Sequence, residues 1–193
     1  MKNASLFTLA LLLAGCGEGA DTTAPPENSA TTDTMAAPVD AAPAAATPAA
    51  PTDAATYVTK AGAGDMWEIE SSKALLAKSG KADVKTFAQM MVDQHGQSTA
   101  KIKAAASSAN IEVPAPKLDA DQQKMLDEIR NADAAAIDAI YLAHQRAAHD
   151  SALALHRAYA TNGDTEALKK AAGEIAPVVE KHIAELDKLA PAR

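Results

Sequence analysis

From about residue 56 to residue 189, apolar side chains recur at the three- and four-residue spacing of an α-helix. No stretch alternates polar and apolar residues as a half-buried strand would, so this periodicity restricts the chain to an all-α fold. Four long segments and one shorter segment carry the pattern, at about 56–78, 81–109, 119–131, 133–161 and 164–189. These lengths predict an antiparallel four-helix bundle with an extra short helix. Asp119 and Asp164 are expected to cap the third and the last segment, and Pro177 is expected to kink the last segment without ending it.

Alanine is the main apolar residue of the chain. There are 49 alanines, but Leu, Ile, Val and Phe together number only 32. Such a low share of large apolar residues is typical of disordered chains, yet alanine also favours helix and lets long helices pack closely. We therefore expect a bundle packed largely through small residues.

The N-terminus has the features of a lipoprotein signal. Lys2 precedes an apolar run that is too short to cross a membrane as a helix, so we predict a signal peptide at 1–15. The run ends in Leu13-Ala14-Gly15-Cys16, which resembles the bacterial lipoprotein box. We expect Cys16 to carry acyl chains that anchor the protein, with Gly17 after it favouring the outer membrane. The predicted location is an outer-membrane lipoprotein that faces the periplasm.

The segment 16–55 is predicted to be a disordered tether. Residues 17–56 contain 14 Ala, 8 Thr, 6 Pro and six acids, but no Leu, Ile, Phe, Trp or Tyr. Such a segment cannot bury enough apolar surface to offset the entropy of ordering it. Most of the net charge of −7 belongs to this segment, which leaves 56–193 as a nearly neutral bundle domain.

These numbers also exclude several classes of protein. The acidic balance excludes a basic nucleic-acid-binding protein, and a single cysteine excludes a disulfide framework. The chain is also too short for a large two-domain enzyme.

Each long helix carries a polar residue on or beside its inner face. The four residues are Glu68, His95, His149 and His182. If the turns at Gly80 and Gly163 lie at the same end of the bundle, a rise of about 1.5 Å per residue brings Glu68, His95 and His149 to a similar depth, with His182 about one turn lower. We therefore predict that they meet in the core. Three further residues of the third long helix support this set: Tyr141 and His144 lie on its predicted apolar stripe, and Gln145 lies on the flank that carries His149.

Three kinds of site fit these residue types. The first is a hydrogen-bond network of His and Glu that fixes the packing of the helices. The second is a site for one transition-metal ion, such as zinc, iron or copper, to which imidazole and carboxylate are suitable ligands. The third is a small-molecule pocket between the helices. A di-iron centre is disfavoured because it needs Glu three residues before His. The residues three before the three core histidines are Val92, Arg146 and Val179.

Four segments together resemble a bacterial family called domain of unknown function 4142. They begin with Asp65-Met66-Trp67-Glu68, continue through 84–95 and 138–149, and end with 168–169 and 177–182. The resemblance implies a ferritin-like helical bundle in the cell envelope. It carries over a polar core set of Glu68, His95, Tyr141, His149 and His182, without His144 or His156, and it implies no activity.

The sequence thus favours a lipid-anchored, non-enzymatic interaction module of the cell envelope, with a buried His/Glu network. Its expected partners are the membrane, through the anchor, and another envelope protein. The alternative is a ferritin-like protein that binds a single metal ion through Glu68, His95, His149 and His182.

Overall fold

The computed structural model describes residues 51–189, which form five α-helices and no β-strand. The helices are α1 (Ala54–Leu76), α2 (Ala82–Ser108), α3 (Ala120–Asn131), α4 (Ile137–Asn162) and α5 (Glu166–Leu189). The all-α prediction is confirmed, and α5 continues through Pro177 as predicted. The predicted signal peptide, Cys16 and nearly all of the tether lie outside the described residues.

Local signals define several helix ends. The Asp53 carboxylate accepts a hydrogen bond from the Thr56 backbone N–H at 2.8 Å and caps α1. Asp119 and Gln122 form a reciprocal capping box at the start of α3, which confirms the predicted cap. At the end of α2, Asn110 adopts a positive φ of 57°. The Ile111 N–H then donates to the Ala106 carbonyl, so that a Schellman motif closes the helix.

The predicted cap of the last helix by Asp164 is wrong. Thr165, not Asp164, directly precedes the first helical residue. The Asp164 carboxylate instead accepts hydrogen bonds from the Ala54 backbone N–H and from the Tyr159 hydroxyl. The α4–α5 turn is therefore fastened to the start of α1, which accounts for an acidic residue at this position.

The four long helices are arranged as an antiparallel ferritin-like bundle. Each of the pairs α1/α2, α2/α5, α5/α4 and α4/α1 is in contact, and the members of each pair run in opposite directions. The Asp164 backbone N–H donates to the Thr52 carbonyl, which sets the α4–α5 turn beside the start of α1. Lys78, after the end of α1, contacts the carbonyls of Arg130 and Ala132 near the start of α4.

The assumption that the turns at Gly80 and Gly163 share one end is therefore wrong, because a long crossover connects α2 to α4 and returns the chain to the opposite end of the bundle. One long crossover is the ferritin-like topology. The four polar residues still meet, because each lies near the middle of its helix.

The crossover includes α3, which packs on α1 and α4. Its buried residues are Leu126 and Ile129, which are 1% and 0% exposed. At the surface, Arg130 binds Glu70 of α1 and His144 of α4 binds Glu128. The short helix thus covers the α1–α4 side of the bundle, whereas it makes no comparable cover over α2 and α5 in the described part of the chain.

The apolar core consists of two clusters. The cluster near the α4–α5 turn includes Tyr57, Ile102 and Tyr159, and the other includes Trp67, Met91, Leu126 and Tyr141. Each long helix has buried polar residues between the two clusters or at their border, among them Glu68, His95, His149 and His182. The bundle therefore has a polar layer across its middle. Within residues 51–189, no helix is both long and apolar enough to cross a membrane.

Candidate metal centre

The polar layer contains the four residues predicted to meet. Glu68 is 3% exposed, His95 6%, His149 0% and His182 2%, so all four are buried. One ring nitrogen of each of the three histidines lies within 4.8 Å of the corresponding nitrogens of the other two. The ring centroids are 5.2 to 5.7 Å apart. The structure therefore brings together one imidazole from each of α2, α4 and α5.

His95 is held from outside the cluster by a carboxylate. Its Nδ1 lies 2.8 Å from Oδ1 of Asp65, and the Thr99 hydroxyl donates to Oδ2 of the same carboxylate at 2.9 Å. An ionised carboxylate only accepts hydrogen bonds, so Nδ1 of His95 carries the proton. Nε2 of His95 is buried and has no hydrogen-bond partner among the described residues.

His149 is held by its own helix and by Glu68. Its Nδ1 lies 2.9 Å from the Gln145 carbonyl oxygen and 3.3 Å from Oε1 of Glu68. Both are acceptors, so Nδ1 is the protonated nitrogen of the neutral ring. Nε2 then has a free lone pair, and it lies 3.1 Å from Nδ1 of His182.

His182 is held by Gln94 of the neighbouring helix α2. Its Nε2 lies 2.8 Å from Oε1 of the Gln94 amide, to which it donates. In the neutral ring this leaves Nδ1 as a lone pair. Nδ1 of His95, Nδ1 of His149 and Nε2 of His182 thus all donate to oxygen, and we call them the outer nitrogens. In the neutral rings the lone pairs therefore belong to the other three nitrogens, in the centre of the bundle.

Glu68 contacts the cluster through its Oε1, which lies beside the outer nitrogen of His149. Its Oε2 is buried and has no hydrogen-bond partner among the described residues. A buried carboxylate with a free oxygen is costly unless a cation is close by. Glu68 therefore brings a negative charge to the three imidazoles, as does Asp65 beyond His95.

The surroundings shift the pKa values of the three rings in different directions. Burial, together with the nearby His95 and His149, lowers the pKa of His182 to about 3. Burial also lowers the pKa of His149, against the attraction of Glu68. Burial opposes a proton on His95 too, but the hydrogen bond to Asp65 and the charges of Glu68 and Asp65 outweigh it and raise the pKa. His149 and His182 are therefore neutral near pH 7.

Tyr141 and Gln145 lie next to the cluster, as predicted. The Tyr141 hydroxyl pairs with that of Ser72 at 2.8 Å, and the Gln145 amide nitrogen donates to the Ser71 hydroxyl at 3.3 Å. Burial raises the pKa of Tyr141 well above its usual range, and the charge of Glu68 raises it further. Oε1 of Gln145 is also buried without a partner in the described region.

His144 does not join this group, although the sequence placed it on the inner stripe. Its Nε2 bonds to Glu128 of α3 at 2.8 Å, and its side chain is 21% exposed. The buried face of α4 runs instead through Tyr141, Gln145 and His149. Because this buried face is itself polar, the pattern of apolar residues in the sequence predicted that a neighbouring stripe, which is only partly buried, faces the core.

Sequence reasoning missed the roles of Asp65 and Gln94. Both lie inside segments that carried the family resemblance, and Gln94 directly precedes His95. A buried pair between His156 and Tyr57 was also missed. The Tyr57 hydroxyl lies 3.0 Å from Nδ1 of His156, and the Tyr57 ring stacks on that of Tyr159 with the ring centroids 3.9 Å apart. His156 and Tyr57 lie next to the apolar cluster near the α4–α5 turn.

Comparisons with known proteins agree with this fold. A family model described as domain of unknown function (DUF4142) matches residues 39–189. No curated protein matches the chain. Among solved structures, the chain is similar to the crystal structure of a DUF305 fragment from Deinococcus radiodurans, with a TM-score of 0.62 and 12% identity. That match covers 74% of this chain and 97% of the other, and at this identity it shows the fold alone.

Proposed function

The chain belongs to the family of domain of unknown function DUF4142, and on that premise we propose that its bundle binds one transition-metal ion. The proposed ligands are His95, His149 and His182. Glu68, which the sequence predicted as a ligand, contacts the outer nitrogen of His149 and supplies negative charge from beyond that ring. Three imidazoles suit zinc, iron or copper.

One observation carries this proposal. Nε2 of His149 and Nδ1 of His182 lie 3.1 Å apart, although the outer hydrogen bonds leave both as lone pairs. Two acceptors facing each other make no hydrogen bond, whereas two nitrogen ligands of a tetrahedral metal ion lie about 3.3 Å apart. One ring nitrogen of His95 also lies within 4.8 Å of the nitrogens of the other two histidines.

The outer partners also match those of metal sites. Histidines that bind metals usually donate their other nitrogen to a carboxylate, a backbone carbonyl or another oxygen, which fixes the tautomer and the ring orientation. Here the three outer acceptors are Asp65, the Gln145 carbonyl and Gln94. A purely structural network, which the sequence favoured, needs donors as well as acceptors at its centre, and with the Gln94 oxygen placed on His182 these tautomers supply none.

The burial of the cluster limits what a bound ion does. Two clefts in residues 51–189 are lined by residues such as Lys103 and Val113, and neither is lined by His149 or His182. An organic substrate therefore has no access to the proposed ligands through these clefts. We infer from the burial of the proposed ligands that the protein holds the ion as a structural element or as cargo.

We also propose that the bundle works in the cell envelope. Acyl chains on Cys16 would anchor the protein in the outer membrane, and the acidic tether would hold the bundle in the periplasm. Support comes from the lipoprotein-like segment Leu13-Ala14-Gly15-Cys16 and the composition of the tether. A tethered bundle can exchange ions with another envelope protein without leaving the membrane.

Titration of the ion-free full chain in detergent micelles with Zn²⁺, Cu²⁺ or Fe²⁺ tests the proposal. We expect a dissociation constant in the micromolar range or below by calorimetry, and a rise in melting temperature, because an ion at 100 times its Kd stabilises by ~2.7 kcal/mol. The double variant His95→Ala/His182→Ala should lose both effects. His144→Ala, which removes a histidine outside the cluster, should keep them. Failure of the wild type to bind any of the three ions would overturn the proposal.

A further inference from the structure

Gln94 differs chemically from the other two outer partners of the cluster. The Asp65 carboxylate and the Gln145 backbone carbonyl only accept hydrogen bonds, so they fix one tautomer of His95 and of His149. The side-chain amide of Gln94 both accepts through Oε1 and donates through Nε2. Gln94 is therefore the one outer partner of the three that is compatible with either neutral tautomer of its histidine.

The two orientations of this amide have opposite consequences for the centre of the bundle. With Oε1 on His182, as the structure has it, Nε2 of His182 is protonated and Nδ1 is a lone pair. With the amide turned by about 180°, its NH₂ group donates to Nε2, and the proton of His182 moves to Nδ1. Nδ1 would then donate to Nε2 of His149, which is already 3.1 Å away.

We propose that Gln94 is a positioning residue that sets the tautomer of His182 and so switches the centre between two states. In the ion-free state its NH₂ group faces His182, and the two histidines form a hydrogen bond with each other. In the ion-bound state its carbonyl oxygen faces His182 and frees Nδ1 for the metal. The exchange relocates one proton on the ring and changes no net charge. This inference rests on the proposed function.

The position of Gln94 suits such a rotation. It lies between α2 and α5, on the side of the bundle that α3 does not cover, and its side chain is partly exposed. Gln94 belongs to neither apolar cluster, so its amide can turn without repacking them.

Two substitutions of Gln94 separate the effect of its hydrogen-bond acceptor from that of its donor. Gln94→Glu keeps the length and only accepts, so it should hold the proton on Nε2 of His182 and leave Nδ1 ready for the ion. Gln94→Met keeps the bulk but fixes neither tautomer. We expect tighter ion binding in Gln94→Glu, by about tenfold, and weaker binding in Gln94→Met, by about 10- to 100-fold. Gln97→Glu adds the same charge at an exposed position of α2 and controls for simple electrostatic attraction.

The tautomer itself is read from the nitrogen NMR signals of histidine in the ion-free full chain. The wild type should carry the His182 proton on Nδ1, and Gln94→Glu should carry it on Nε2. The same tautomer in both proteins, or equal affinities in Gln94→Glu and Gln97→Glu, would overturn the inference. If the wild type binds no ion, the proposed function fails and the switch fails with it. The NMR result then still decides whether Gln94 sets the tautomer.

Discussion

Oδ1 of Asp65 lies 2.8 Å from Nδ1 of His95, and both side chains are buried between α1 and α2. The carboxylate fixes the proton on Nδ1 and leaves Nε2 without a partner, facing no donor in the described region. The Thr99 hydroxyl holds the other oxygen of the same carboxylate. Asp65 therefore determines which nitrogen His95 offers to the centre of the bundle.

Asp65→Asn should weaken ion binding by about 10- to 100-fold while leaving the fold intact. The amide has nearly the same shape, but it can donate to Nδ1 of His95 and so favour a proton on Nε2, where the lone pair is needed. Competition against a chelator of known affinity measures the change. Asp93→Asn, an exposed change on α2, is the matched control and should bind like the wild type. Equal affinities in the two variants would contradict this role of Asp65.

Ser72→Ala should lower the free energy of unfolding by ~1–3 kcal/mol. The Ser72 hydroxyl pairs with that of Tyr141 at 2.8 Å across the α1–α4 interface, and both side chains are fully buried. The substitution leaves the Tyr141 hydroxyl buried without a partner. Urea unfolding measures the loss. Ser151→Ala removes an exposed hydroxyl from α4 and should change stability by less than ~0.5 kcal/mol. Similar effects of the two changes would refute the expectation.

The helices could be predicted from sequence because their signals are local. The caps at Asp119 and the break around Asn131 depend on neighbouring residues, and helical periodicity extends over many turns. The cluster could be predicted in outline because Glu68 and the three histidines lie near mid-helix. A residue near mid-helix has nearly the same depth in the bundle whichever way its helix runs. The wrong assumption about the turns at Gly80 and Gly163 therefore hardly changes the predicted distances between these residues.

The partners of these residues could not be predicted in the same way. A shift of one turn between two helices exchanges one neighbour for another, and a single sequence does not fix that register. This is why the pairs Asp65–His95 and Gln94–His182 emerged only from the structure. The misplacement of His144 has a related cause, because a hydrophobic stripe is a poor guide where the buried face of a helix is polar.

Ile129→Ala should cost ~2–5 kcal/mol, although α3 is not one of the four bundle helices. Ile129 is fully buried in the cluster that includes Trp67 and Leu126, so the substitution leaves a cavity inside the core. Thermal and urea unfolding measure the loss. Glu128→Ala, which removes only the surface contact with His144, should cost less than ~1 kcal/mol. A small effect of Ile129→Ala would mean that α3 is dispensable for the core.

Cys16→Ser should release the protein from membranes, if Cys16 carries the proposed lipid. The thiol is the acceptor of the diacylglycerol group, and Cys16 is the only cysteine in the chain. Fractionation of cells that produce the full chain should find the wild type in outer-membrane fractions and the variant in the soluble periplasmic fraction or still attached through its uncleaved signal. Treatment with sodium carbonate separates these two outcomes. Retention of a processed Cys16→Ser protein in the outer membrane would argue against a lipid anchor.

The ion-free protein should lose stability as the pH falls from about 6.5 towards 4. Burial lowers the pKa of His156 to about 4, against an unfolded value near 6.5. Between these values the unfolded chain takes up a proton that the folded chain refuses, so this contribution is complete above pH 6.5 and is lost as the pH falls to 4. His149 and His182 act in the same direction, and the raised pKa of His95 acts in the opposite one.

His156→Gln isolates the share of one ring in this pH dependence. The Gln amide can still accept a hydrogen bond from the Tyr57 hydroxyl, but it does not titrate, so proton uptake on unfolding near pH 5 should fall by about one. Urea unfolding at several pH values between 4.5 and 7.5, with a chelator present, gives this number from the slope of stability against pH. Tyr57→Phe removes the hydrogen bond but keeps the imidazole, and it should lower stability without flattening that slope. If the slope of His156→Gln matches that of the wild type, His156 is not held neutral in the folded protein.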